Sequence, residues 1–296
     1  MLDLLLLLMV VIWGSNFSVV KYALRDFPEI PFNALRLMLA SAVFLVAIAV
    51  VRHRAEAGLR PPEAPLTRQE WRRVVFLGLV GTVLYQLLFL GGIARTSVAN
   101  AALIFGCTPV SVAILASIAG HDRLTAPRWA GAALSLAGIY AIVGHGASLS
   151  TATLTGDALM FGSMLCWSIY SVGAQPLLQR HSPLVVTGWA MITGATMYLV
   201  VAAVPMMRTN WSAISATSWF LMAASSFLAL SFSYMVWYTA VQKIGSARTA
   251  IYSNLTPIVA MIVAALWLGE QITRVQVFGT ALVLGGLAVT RWRAIS

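Results

Sequence analysis

Ten stretches of mostly apolar residues follow one another along this chain, separated by short connectors, and that pattern leaves it one solvent. A helix at the surface of a soluble protein is apolar along a single stripe. These segments are apolar all round, and each is near the roughly 20 residues that an α-helix needs to cross the hydrocarbon core of a bilayer. The expected spans are 4–24, 32–51, 72–92, 97–119, 128–144, 157–178, 184–205, 217–241, 246–268 and 275–291. Composition agrees. Of 296 residues, 60% are apolar and 9% charged, where a soluble domain carries about 25% charged residues. The expected fold is an all-α polytopic membrane protein with ten transmembrane helices.

The first span, Leu4 to Leu24, lacks a basic leader and an A-x-A cleavage step, and it carries Trp13, Ser15 and Asn16 mid-way. It reads as a retained helix, not a signal peptide. The net charge of +10 belongs to connectors that orient the chain, not to a nucleic-acid surface. With the N-terminus inside, thirteen of the nineteen Lys and Arg residues fall on the cytoplasmic side, and His145–Gly156 on the other side has none. Both termini are therefore expected in the cytoplasm. The stretch Arg52–Glu70, rich in arginine and proline, reads as a solvated loop.

A repeat lies under the spans. Offset by 148 residues, 99–141 fall on 247–289 without a gap, with twelve identities in 43 positions. Thr108-Pro109 meets Thr256-Pro257, and Gly131 and Gly138 meet Gly279 and Gly286. Trp13 falls on Trp167 at an offset of 154. Two halves follow, 1–146 and 147–296, with five spans each. An odd number of spans inverts the second half relative to the first, an architecture common among secondary transporters.

The repeated features carry the chemistry. Pro109 and Pro257 sit within spans four and nine, and each removes a donor from the carbonyl four residues back, Phe105 and Ser253. A carbonyl freed in lipid must face protein or a wet cavity, so the pair is expected to shape and gate a central hollow; static kinks are the plainer alternative. Trp13-Gly14-Ser15-Asn16 and Trp167-Ser168-Ile169-Tyr170-Ser171 hold equivalent depths. Tryptophan usually marks the membrane surface, so at mid-span it is either a pocket wall or core. The candidate substrate-binding residues are Trp13, Ser15, Asn16, Tyr85, Asn100, Trp167, Tyr170, Ser171, Tyr234, Tyr252 and Asn254. For Asn16 and Asn100, interhelical hydrogen bonding is the competing role. The small residues Gly131, Ser135, Gly138, Gly279, Gly285 and Gly286 are expected to bring helices together.

All nine acids and all four histidines fall in connectors or at span ends. A charge at the centre of a span costs about 2.5–3.5 kcal/mol on insertion scales, so acids kept there usually mark ion paths. With none expected, transport without an intramembrane carboxylate, facilitator-like, is the reading. No Walker A motif, metal-ligand cluster or cofactor motif occurs, and Cys107 and Cys166 read as small apolar residues. An intramembrane enzyme, the alternative from another class, lacks a nucleophile–base or metal set within the spans. Lys21, Arg36 and Arg248 are expected to snorkel from near span ends, with attraction of a substrate carboxylate as the alternative.

Ten spans in halves of five, W-G-S-N in the first span and the doubled T-P resemble the EamA-type branch of the drug/metabolite transporter superfamily. Leu268-Gly269-Glu270 and Gly279 look like that family's half-repeat ending; Gly120-His121-Asp122 departs from it in the first half. The resemblance implies a ten-helix bundle around a central cavity, in a bacterial inner membrane, exporting small metabolites such as aromatic and neutral amino acids by alternating access. A multidrug or other metabolite exporter is the alternative within transport. The expected partners are a small-molecule substrate and the lipid bilayer, with no nucleic acid.

Overall fold

The computed structural model describes the chain except residues 60, 121–129, 131, 132, 135, 136, 138–150, 251 and 292–296. Most of the fifth expected span, with Gly131, Ser135 and Gly138, and the junction at 146/147 lie outside the described residues. Within them every element is helical and no strand occurs. The long helices are α1 (Leu2–Ala23), α2 (Glu29–Glu56), α3 (Arg68–Arg95), α4 (Val98–Ile118), α5 (Thr151–Leu178), α6 (Pro183–Arg208) and α7 (Ala216–Ile244). A short α8 (Ser246–Ala250), α9 (Thr256–Leu268) and α10 (Arg274–Arg291) follow. Six of the described helices (α1 to α4, α6 and α7) are long and apolar enough to cross a membrane.

Local chemistry sets the helix starts. Thr67 accepts from the Glu70 amide while the Glu70 carboxylate reaches back to the Thr67 amide, a reciprocal capping box that opens α3. Ser97, Ser182 and Ser215 each accept a backbone N–H and open α4, α6 and α7. Helices α2, α3 and α5 start earlier than the sequence expectation, and the first and last of these differences matter below. Helix α2 begins at Glu29 behind Pro28, and α5 begins at Thr151. The loop expected from Arg52 is also shorter, because α2 runs on to Glu56 and an Arg52–Glu56 ion pair at 3.0 Å spans its last turn.

Large apolar side chains on the outside of the bundle, among them Leu4, Val46, Val200, Phe220, Leu266 and Phe278, are exposed. Water would drive such a surface to aggregate; acyl chains cover it at no cost. Inside, the buried apolar side chains form two large clusters. One, around Leu6, Leu37, Trp167, Tyr198 and Trp237, lies toward the end where Met1 starts the chain. The other, around Phe17, Phe27, Phe89, Val98 and Ile104, lies toward the far end. Helix α1 packs on α9, and α5 packs on the second part of α4. Glycines permit two close approaches: a Cβ on Gly14 would stand 2.6 Å from Val259 Cβ, and one on Gly81 would stand 2.3 Å from the Tyr170 ring.

Candidate functional site, a central aromatic cavity

Between the two clusters lies a cavity walled by α1, α2, α3, α4, α5, α7 and the turn before α9. Its floor is aromatic. Trp13 and Trp167 meet edge to face at 5.4 Å, and Tyr234 stands 5.1 Å and Tyr85 5.4 Å from Trp167. Phe17, Phe89 and Phe105 close the other side with centroids 5.4–5.9 Å apart. Edge-to-face pairs at these distances lock ring positions beyond what burial alone does.

The backbone around the cavity is irregular. Helices α3 and α7 each hold a π-helical turn, Leu79–Leu84 just before the lining residues Tyr85 and Gln86, and Ser226–Phe232, whose Ala229 and Leu230 line the cavity. Such a turn shifts the hydrogen-bond register and leaves carbonyls for outside donors; the Trp13 indole N–H takes one, donating to the Ala229 carbonyl at 3.0 Å. Both Thr-Pro steps are breaks rather than kinks. Helix α4 stops at Phe105 and restarts at Thr108, with Pro109 in the first turn of the new segment. After α8 comes a 3₁₀ turn, Tyr252–Leu255, and then Thr256-Pro257 opens α9. In a first turn proline's missing N–H costs nothing, which is why the chain breaks there.

Trp13, Asn16, Tyr85, Trp167 and Tyr234 line this cavity together. Asn16 Oδ1 accepts from the Ser225 hydroxyl at 2.5 Å, tying α1 to α7. Other candidates lie elsewhere. Tyr170 and Ser171 are fully buried, Tyr170 behind Trp167 against Tyr238 at 5.0 Å. Ser15 is partly buried on α1 outside the lining. Tyr252 turns to the Met1 end and donates to Asp3 at 2.5 Å. The Asn254 side chain lies outside what the structure describes.

Asn100 belongs to a polar plug at the far end. Its amide donates to Asp157 at 3.3 Å and accepts from Gln276 at 3.0 Å, and the Thr96 hydroxyl donates to Asp157 at 2.5 Å. Beside it the Glu270 carboxylate accepts the first amides of α4, from Val98 at 3.1 Å and Ala99 at 3.4 Å. Lys21 does not snorkel; its ammonium donates to the carbonyls of Ile93, Ala94 and Thr96 at 2.8, 3.3 and 2.6 Å. Asp157 also departs from the expected helix-end position. With α5 starting at Thr151 it lies inside the helix, and it is 4% exposed.

Arg36 is the largest departure. It was expected to snorkel, but α2 starts at Glu29, which carries Arg36 about two turns into the helix. It is 1% exposed and lines the cavity. The residue type was visible in the sequence; its depth depended on the helix start. Phe17, Gln86, Phe89, Ala229 and Leu230 also line it, without a sequence pattern that singles them out, whereas Phe105, Thr108, Ser253 and Thr256 belong to the two Thr-Pro steps that the repeat marks.

An all-helical bundle with an apolar outer face and a hollow holding a few polar groups has the build of a membrane carrier. A model of the EamA-like transporter family matches residues 1–144 and 154–292, and the chain belongs to that family. It is a membrane transporter of a small-molecule substrate, and its family and relatives are transporters, not enzymes. It is 28% identical to the uncharacterized transporter YyaM of Bacillus subtilis (strain 168), over 93% of this chain and 88% of that one. It is 25% identical to a probable terminal-alkyne amino-acid exporter of Streptantibioticus cattleyicolor, covering 98% and 93%. It is 24% identical to a probable amino-acid metabolite efflux pump of Escherichia coli (strain K12), covering 98% and 95%. A solved structure superposes with a TM-score of 0.68 at 18% identity, covering 96% of this chain and 94% of its own, a likeness of fold.

Proposed function

We propose that this transporter exports aromatic and neutral amino acids or related metabolites from a bacterial cell, through the inner membrane, with both termini in the cytoplasm. The observation that carries this reading is the cavity itself, where four aromatic rings meet beside an amide and two broken helices. Flat, apolar side chains stack on such walls, and a few polar groups orient the rest of the ligand. The two relatives named for amino-acid export support the substrate class. The substrate binds at Trp13, Asn16, Tyr85, Trp167 and Tyr234, and the breaks at Pro109 and Pro257 serve as hinges. The halves 1–146 and 147–296 act as inverted repeats, supported by the pairing of α1 with α9 and of α5 with α4. The described residues that line the cavity hold no carboxylate, and the buried Asp157 belongs to the polar plug at the far end instead, which favours facilitated, gradient-driven exchange. A multidrug exporter for cationic drugs fits less well, because the lining's charge is an arginine.

Exchange of labelled phenylalanine and leucine in proteoliposomes, with and without a pH gradient, tests the proposal. Exchange that ignores the gradient is expected. In Trp167→Ala, exchange should fall by about tenfold or more, because the substrate loses a ring wall that orients it, while the protein stays folded. Normal exchange by that variant removes Trp167 from the site, and uphill accumulation refutes the facilitator.

A further inference from the structure

We infer that Arg36 is the anion anchor of this cavity, and that the transported solutes carry a carboxylate that pairs with it. The inference rests on the reading of the cavity as the substrate site. A guanidinium held inside a helical bundle and cut off from water is costly to keep, so its partner is the question. Nη1 donates to the neutral Asn33 Oδ1 at 3.2 Å, and the Phe32 ring stands 5.3 Å from the guanidinium carbon. Nε has no hydrogen-bond partner among the described residues. The ion pairs found there join Arg52 to Glu56, Arg95 to Glu29, and Arg180 and His181 to Glu70. None involves Arg36, and no acid is among the described residues that line the cavity.

The post that holds this charge is stiff. The Arg36 carbonyl accepts from the Ser226 hydroxyl at 2.7 Å, which pins α2 to the π-helical turn of α7. Gln86, Tyr85 and Tyr234 line the same space and present an amide and two phenols to a ligand beside the arginine. A planar guanidinium with free donors matches a carboxylate in a forked pair. A monoanion balances one buried cation, whereas a phosphate dianion would be left undercompensated. The α-ammonium of an amino acid would then face the ring surfaces and the Thr256 hydroxyl, which lines the cavity without a hydrogen-bond partner among the described residues. Carboxylate recognition thus comes from Arg36, and the aromatic walls choose the side chain.

Competition against labelled phenylalanine binding by the purified full chain in nanodiscs tests this, with four related probes and phenyl phosphate. Phenylalanine and 3-phenylpropionate keep the carboxylate; phenylalaninamide and phenethylamine lack it. In the unaltered protein the two without a carboxylate should compete about a hundredfold more weakly, the penalty for leaving a buried donor group unpaired. Arg36→Lys, which keeps a point charge, should hold part of that preference; Arg36→Met should reduce it to within about threefold, with melting measured alongside. Equal competition by acid and amide in the unaltered protein overturns the inference, and needs no variant to fold. So does a preference for phenyl phosphate, or failure of every carboxylate to bind at millimolar concentration, with direct binding of labelled 3-phenylpropionate read in parallel. If 3-phenylpropionate binds through Arg36 but amino acids neither bind nor exchange, the amino-acid reading falls and the anchor stands. If amino acids exchange with no dependence on Arg36, the reverse holds.

Discussion

The two Thr-Pro breaks start from the same dipeptide and end in different states. At the first, the Thr108 hydroxyl donates to the Phe105 carbonyl at 2.6 Å, the group that Pro109 deprives of its backbone donor. The break repairs itself locally. At the second, the matching hydroxyl of Thr256 makes no hydrogen bond among the described residues, while the Ser253 hydroxyl donates back to Ala250 at 2.6 Å. Both threonines line the cavity. One break is therefore closed on itself, and the other leaves a buried hydroxyl beside the cavity without a partner among the described residues. A second asymmetry accompanies this one. Helix α1 lies against α9 through Gly14, where an added Cβ would stand 2.6 Å from Val259 Cβ and 3.1 Å from the Thr256 carbonyl. The residue equivalent to Gly14 at the offset that pairs the tryptophans is Ser168, which tolerates a side chain and donates its hydroxyl to Met164 at 2.8 Å.

Pressing hardest on that asymmetry means filling the gap at Gly14. In Gly14→Val the new side chain must push α1 off the second break, and overpacking of this kind costs about 1–3 kcal/mol. Exchange in proteoliposomes should fall by about tenfold or more, since displacing a wall by an ångström can cost far more. Full exchange by Gly14→Val would mean that α1 and α9 need not stay in contact during the cycle. The next largest effect is expected at the closed break. Thr108→Val keeps the shape but strands the Phe105 carbonyl, at about 1–2 kcal/mol, read as a lower melting temperature in nanodiscs; Thr108→Ser, which restores the donor, should recover most of it. Ser168→Ala removes one local hydrogen bond and should cost under about 1 kcal/mol, with exchange near normal, in contrast to Gly14→Val.

How much of this was readable beforehand follows from what each feature depends on. The doubled Thr-Pro and the paired tryptophans are matters of order and spacing: they marked where the helices are irregular, though as kinks and not as breaks, and they set Trp13 and Trp167 at one depth without showing that the rings touch. Depth was harder, because it is set by where a helix starts. Pro28 starts α2 at Glu29, which carries Arg36 inward; the start of α5 at Thr151 does the same for Asp157. Direction was harder still. The 3₁₀ turn Tyr252–Leu255 points Tyr252 toward Asp3, and a span drawn as an uninterrupted α-helix gives no sign of it. The π-helical turn that frees the Ala229 carbonyl for Trp13 likewise depends on packing around α7, and no residue pattern announces it.

The finest test of the comparison is the smallest change. In Thr256→Val a methyl replaces a hydroxyl that forms no hydrogen bond among the described residues, so no described partner is stranded. Away from special features a substitution stays within about 0.5 kcal/mol, and melting should barely move, unlike Thr108→Val. Binding is where the hydroxyl should count. If it accepts a hydrogen bond from substrate, its loss costs about 0.5–1.5 kcal/mol, a few-fold weaker phenylalanine binding with the acid-over-amide preference unchanged, because that preference belongs to Arg36. Should Thr256→Val destabilise the protein as much as Thr108→Val does, the second hydroxyl is satisfying a carbonyl after all. The two breaks would then be equivalent, and the open polar group at α9 would have to be given up.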